Sequence, residues 1–198
     1  MIRLANLAAM LMLAMPAAVA AQYEAPADPP DPAAQLAELI EIYDAACLRA
    51  FPDDGAVARA MAARGATAMG DAEVRIYLHD DPGRGWEIDG RTARFQLTVE
   101  APPFHACGVR TMTGAGFPDM APYRALTDRF EAGGRWQGFG PQTMDVGNIR
   151  SVGAGERRQV RGRTESLMAF INTPIAKTRD AGHNAVEVRF VHQIYAGN

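Results

Sequence analysis

Cys47 and Cys107 are the only two cysteines in the 198-residue chain, and whether they pair decides which parts of it must lie side by side. The answer starts at the N-terminus. Residues 1–20, MIRLANLAAMLMLAMPAAVA, combine Arg3, an apolar run from Leu7 to Met15, a break at Pro16 and the small triplet Ala18-Val19-Ala20. This is the pattern of a secretory signal peptide cleaved after Ala20, with an apolar run too short to span a bilayer. No cysteine follows the cleavage site to carry a lipid, so the mature chain is expected to have no transmembrane segment. Alanine, glycine and arginine usage points to a bacterium with a GC-rich genome and export to the periplasm. An even cysteine count in an oxidising compartment predicts a Cys47–Cys107 disulfide. Closing a loop of about 60 residues would stabilise the fold by about 4 kcal/mol in the chain-entropy model.

The surroundings of each cysteine say what the cross-link would join. Leu36, Leu39, Ile40, Tyr43, Cys47 and Phe51 recur at three- and four-residue spacing, which predicts a helix with Cys47 on its inward face and a stop at Pro52. In residues 104–113, His105, Cys107, Val109 and Thr111 share one side of a predicted strand. A disulfide would therefore fasten an early helix to a β-layer.

Before that helix, residues 21–32 (AQYEAPADPPDP) hold four prolines and three acids with little to bury, and read as a disordered lead-in. Residues 33–198 read as a single domain. A second helix is expected with Asp53 or Asp54 as its cap, Val57 and Met61 inward and Gly65 as its stop. Residues 71–79 fit either a helix or a strand, with helix preferred. In GWEIDGRTARFQLTVE, Asp89-Gly90 reads as a two-residue turn pairing Ile88 with Arg91 and Trp86 with Ala93. That register gives one face Trp86, Ile88, Phe95, Leu97 and Val99. FPDMAPYRALTDRFEAGG predicts a helix with Asp119 as cap and Tyr123, Leu126 and Phe130 as its buried line. Strands are expected near 135–139, 144–152, 157–172, with an interruption at Gly162 as an alternative, and 185–195. Helices first and then strands on short connections predict an α+β fold: N-terminal helices packed on an antiparallel sheet, with one further helix between strands.

The chemistry-bearing residues are few. A catalytic Cys107 with His105 as its base is geometrically open, since residues two apart on a strand face the same way, but the compartment favours the disulfide. His79, His105, His183 and His192 show no metal-ligand spacing, and His192 falls on the apolar face of the last strand. In GERRQVRGR, Arg157, Arg158, Arg161 and Arg163 form the densest basic stretch of an acidic protein and are the expected anion contact. The bland alternative is a solvated strand whose arginines pair with surface acids. The formal charge of −3, or −4 once Arg3 leaves, and the absence of interleaved aromatics argue against nucleic acid. No dinucleotide or phosphate loop, nucleophile elbow, zinc-protease motif or calcium loop is present, so no catalytic residue and no cofactor is predicted.

DAACLRAFPDD, DPGRGW and EAPPFHACGVRT together resemble small exported proteins of alphaproteobacteria with a two-cysteine pattern. That resemblance covers roughly residues 36–132 and implies export and cysteine pairing, with no established activity to carry over. The expected function is a non-catalytic periplasmic binding role toward a protein or small-molecule partner, through the sheet face or the four arginines. A small hydrolase or thiol enzyme using His105 with Cys107, or His192 with an acid brought near by folding, is the alternative.

Overall fold

The computed structural model of the chain describes residues 31–175 and 185–196. The predicted signal peptide, most of the 21–32 lead-in and His183 lie outside the described residues.

Asp31 starts the first helix. Its carboxylate accepts the amides of Ala33 and Ala34 at 2.9 and 3.1 Å, and Pro32 takes a first-turn position where the missing N–H is no loss. Helix α1 (Pro32–Tyr43) continues without a break into a π-helical segment, Asp44–Ala50, closed by a Phe51 amide donating to the Ala46 carbonyl at 3.0 Å. The wider turn rotates the apolar stripe. Ile42, Ala46 and Leu48 join Leu36, Leu39, Tyr43 and Cys47 in the core, while Ile40 is only half-buried. Helix α2 (Asp54–Ala63) is capped by Asp53, whose side chain accepts the Ala56 amide, and buries Val57 and Met61 as predicted. Residues Asp71–Leu78 form helix α3, with Val74 and Leu78 buried and Ile76 74% exposed, so the helical reading of that stretch holds.

The sheet has eight strands: β1 (Thr67–Ala68), β2 (Gly83–Asp89), β3 (Arg94–Glu100), β4 (Ala106–Thr113), β5 (Gln137–Val146), β6 (Ile149–Val160), β7 (Arg163–Pro174) and β8 (Val186–Ala196). Helix α4 (Ala121–Glu131) lies between β4 and β5 in the chain. Spatial order is β1-β2-β3-β4-β8-β7-β6-β5, and every pairing is antiparallel, so the fold is α+β and strand-rich. Among the described residues no helix is long and apolar enough to cross a membrane.

The helices divide between the two faces of the sheet. On the first, Gln35 of α1 donates to Thr111 Oγ1 at 3.0 Å, and Tyr43 and Tyr123 pack their rings on Phe190. On the second, Leu78 of α3 occupies the space that a Cβ on Gly83 would need, and Met69, with Val74 of α3 close by, fills that over Gly85. Glycine at those positions lets α3 sit directly on β2. Because both faces are covered there, Gln96 and Thr98 are buried on the nominally polar side of β3.

Two sequence readings need correction. The β2–β3 turn is longer than two residues: Ile88 pairs with Phe95 and Trp86 with Leu97. The slip of four residues keeps every side chain on its expected face because side-chain period is two. What opens the turn is Glu38 of α1, only 3% exposed, whose carboxylate accepts the amides of Arg91 and Thr92 at 2.9 and 2.8 Å and the Thr92 hydroxyl at 2.6 Å. Along the second half, the expected strands 144–152 and 157–172 each run across a tight turn. Gly147-Asn148, with Gly147 at φ 58°, joins β5 to β6, and Arg161-Gly162, at φ 51° and 75°, joins β6 to β7. These are two-residue hairpin geometries.

Candidate ligand-binding site

The cysteines pair. Cys47 and Cys107 are joined with Cα atoms 5.3 Å apart, both fully buried, and no described cysteine is free. Cys107 is therefore a cross-link between the π-helical segment and β4, not a nucleophile.

Both histidines near the disulfide stand within hydrogen-bond distance of a carboxylate. His105 Nε2 stands 2.8 Å from Asp54 Oδ1 at the start of α2, with its ring against Phe51. His192, 2% exposed, has Nδ1 2.7 Å from the Cys47 carbonyl and Nε2 2.8 Å from Glu165 Oε1, between the rings of Phe51 and Phe130. Folding does bring an acid to His192, and both ring nitrogens are occupied; the histidine is buried, while Glu165 keeps an edge toward a surface cleft. Burial alone would push the Glu165 carboxyl up; hydrogen bonds from His192 and Arg158, with their charge, bring it below the usual range. This network braces the disulfide against β7.

The four arginines separate into two places. Arg157 and Arg158 are successive residues of β6, so they leave opposite faces. Arg158 bonds Glu165 through Nε at 2.7 Å and lies over the Trp136 ring. The pair lines one cleft with Arg135, whereas Arg161, in the turn, and Arg163, opening β7, line another with Glu165.

A third cleft, of about 530 Å³, lies on the second face of the sheet. Its floor comes from the even positions of β4 and the odd positions of β8: Arg110, Met112, Glu187 and Arg189. Phe170 of β7 lies flat on the sheet because Gly153 of β6 has no side chain; a Cβ there would stand 2.8 Å from the ring. One wall is α3, through Ile76, Tyr77 and His79; the other is the tip of the β5–β6 hairpin, through Val146 and Ile149. Ile76, Val146 and Ile149 are 74%, 57% and 39% exposed, so the rim is apolar and open. The floor is charged. Arg110 Nη1 reaches Glu187 Oε2 at 3.4 Å, Glu187 Oε1 accepts from Asn172 at 2.7 Å, and the Arg110 guanidinium sits over the Tyr77 ring at 4.8 Å. Burial, and then the charge of Arg110, push the Arg189 guanidinium down to about 10, against the pull of Glu187 and Glu100. Among the described residues no group of three His, Cys, Asp or Glu stands close enough to hold a metal ion.

Sequence reading passed over Arg110 and Arg189. Alternation puts both on polar strand faces, where an arginine attracts no notice; only the pairing of β4 with β8 makes them neighbours. Comparison with protein-family models, with curated proteins and with solved structures finds no match.

Proposed function

We propose that this is an exported, periplasmic, non-catalytic binding protein whose ligand site is the cavity on the second face of the sheet. The observation that carries this reading is a charged floor with a buried arginine beneath an open apolar rim, a combination typical of small-molecule sites, whose volumes run from roughly 300 to 1,000 Å³. The disulfide and the signal-like N-terminus support export. Occupation of both cysteines in the disulfide and of both His192 ring nitrogens in hydrogen bonds supports a binding role over the thiol and histidine alternatives.

The test is amide-shift mapping by NMR of the oxidised protein against a panel of small anions, cations and neutral compounds, each bearing an apolar group. The reading requires that at least one class shifts amides around Arg110, Asn172 and Arg189 in a saturable way. A panel in which every class leaves those amides unmoved overturns it.

A further inference from the structure

The cavity floor carries positive charge that its own residues do not satisfy. Arg110 and Arg189 are Cα partners across β4 and β8, so their side chains leave the same face side by side, an arrangement that destabilises a sheet when the charges are alike. Arg110 is 6% exposed, and its Nε and Nη2 find no partner among the described residues. Among the described residues its single ionic contact is the long one to Glu187. Arg189 lies close over Gly108, where a Cβ would stand 3.2 Å from its Nε, and that Nε finds no partner among the described residues. Each guanidinium offers five N–H donors, and an unpaired buried charge costs several kcal/mol.

The acids nearby do not close the account. Glu187, opposite Met112 and two residues before Arg189 on β8, contacts Arg110 and is shared with Asn172. Glu100 attracts Arg189 only at a distance, and its own carboxyl is pushed up by burial and then by Asp81. Among the described residues that line the cavity, one carboxylate faces two guanidiniums, and Glu100 attracts Arg189 from outside that lining, so the lining itself carries a surplus of one positive charge. A dianion would overshoot it, and a cation would add to it. A flat carboxylate matches the guanidinium fork, and a buried monoanion needs its remaining surface covered by something apolar. Ile76, Met112, Val146, Ile149 and Phe170 provide that cover.

Resting on the reading of this cavity as a ligand site, we infer that its ligand is a small monocarboxylate with an apolar body, the carboxylate between Arg110 and Arg189 and the body along α3 and the β5–β6 tip. Arg189 and Arg110 bind the head; Gly108 keeps the space in which Arg189 can lie.

Decanoate and decyltrimethylammonium below their micellar concentrations, and decanol below its solubility limit, separate charge from tail. By calorimetry, decanoate is expected to bind at least tenfold tighter than either of the others. Arg189→Gln should weaken decanoate at least tenfold and leave decanol unchanged, and Gly108→Val should reproduce that loss by displacing the guanidinium while both arginines remain. Arg110→Gln is the third variant; if it does not fold, the first two carry the test. Decanol or the ammonium compound binding as tightly as decanoate would overturn the carboxylate inference while the cavity reading stands. Equal decanoate affinity in Arg189→Gln and the parent would do the same. Failure of all three to bind would overturn the inference, and the amide mapping would then decide the cavity reading separately.

Discussion

Glu38 ties the first helix to the β2–β3 turn, and replacing it with glutamine isolates that tie with little change of shape. The native carboxylate accepts three hydrogen bonds, from the Arg91 and Thr92 amides and the Thr92 hydroxyl, in a site only 3% exposed. Glutamine turns one acceptor oxygen into a donor that faces other donors, leaving a buried N–H unsatisfied at a cost of about 1–3 kcal/mol. With a urea slope of about 2 kcal/mol/M for a domain of this size, the midpoint should fall by roughly 1 M. Acidity supplies a second signature. Burial pushes the Glu38 carboxyl up, but the hydrogen bonds from Thr92 and the Arg91 amide, with the Arg91 charge, hold it below the ordinary value of 4.5. A carboxyl lowered on folding adds stability that is complete above the unfolded value and lost as pH falls through the folded one. The gap between native and Glu38→Gln should therefore narrow below pH 4.5. Urea titrations at pH 7 and at steps below 4.5, with hydrogen exchange at the Arg91 and Thr92 amides, measure both. A midpoint unchanged at pH 7, a gap constant through the acid range, or amides still protected in the variant would refute the reasoning.

Replacing both cysteines by alanine should cost about 4 kcal/mol, from a sequence separation of 60 between them, read as the difference in unfolding free energy; a loss below about 1 kcal/mol would show that the cross-link constrains nothing. Glu165→Ala should cost about 3 kcal/mol, because Arg158 and buried His192 lose their shared anion, and unchanged thermal stability would count against that bracing role. Burial, then hydrogen bonding and charge from Glu156 and the charge of Asp128, raise the Glu131 carboxyl to about 8, with Arg158 opposing. A carboxyl raised on folding contributes stability that is present below 4.5 and lost as pH rises through 8, so Glu131→Gln should match the parent at pH 5 and exceed it in melting temperature at pH 9. Parallel melting curves for the two proteins would exclude that role.

Local patterns were legible wherever one residue type decides a conformation. Asp53 as a cap, Met61 as a core residue and the split of β3 into apolar and polar faces follow from spacing alone. The disulfide followed from cysteine count and export logic together, without any contact information. Register did not follow, because Asp89-Gly90 is a sound turn signal and the carboxylate that opens the loop comes from Glu38, about fifty positions earlier. Gly147-Asn148 could have been read as a turn, since glycine there supplies the positive φ; Gly162 did mark an alternative break in its strand, while the left-handed Arg161 before it gave no cue to a two-residue turn. The cavity was least visible. Its floor needs β8 beside β4, its wall needs α3 on the reverse face, and neither placement leaves a trace in periodicity.

The most direct measurement of the central claim is a crystal structure of the oxidised protein grown with saturating decanoate. The account requires density in the second-face cavity, with the carboxylate within hydrogen-bonding distance of the Arg189 guanidinium and the chain running toward Ile149. Decanoate bound elsewhere, or an empty cavity with Arg110 and Arg189 unchanged, would contradict it.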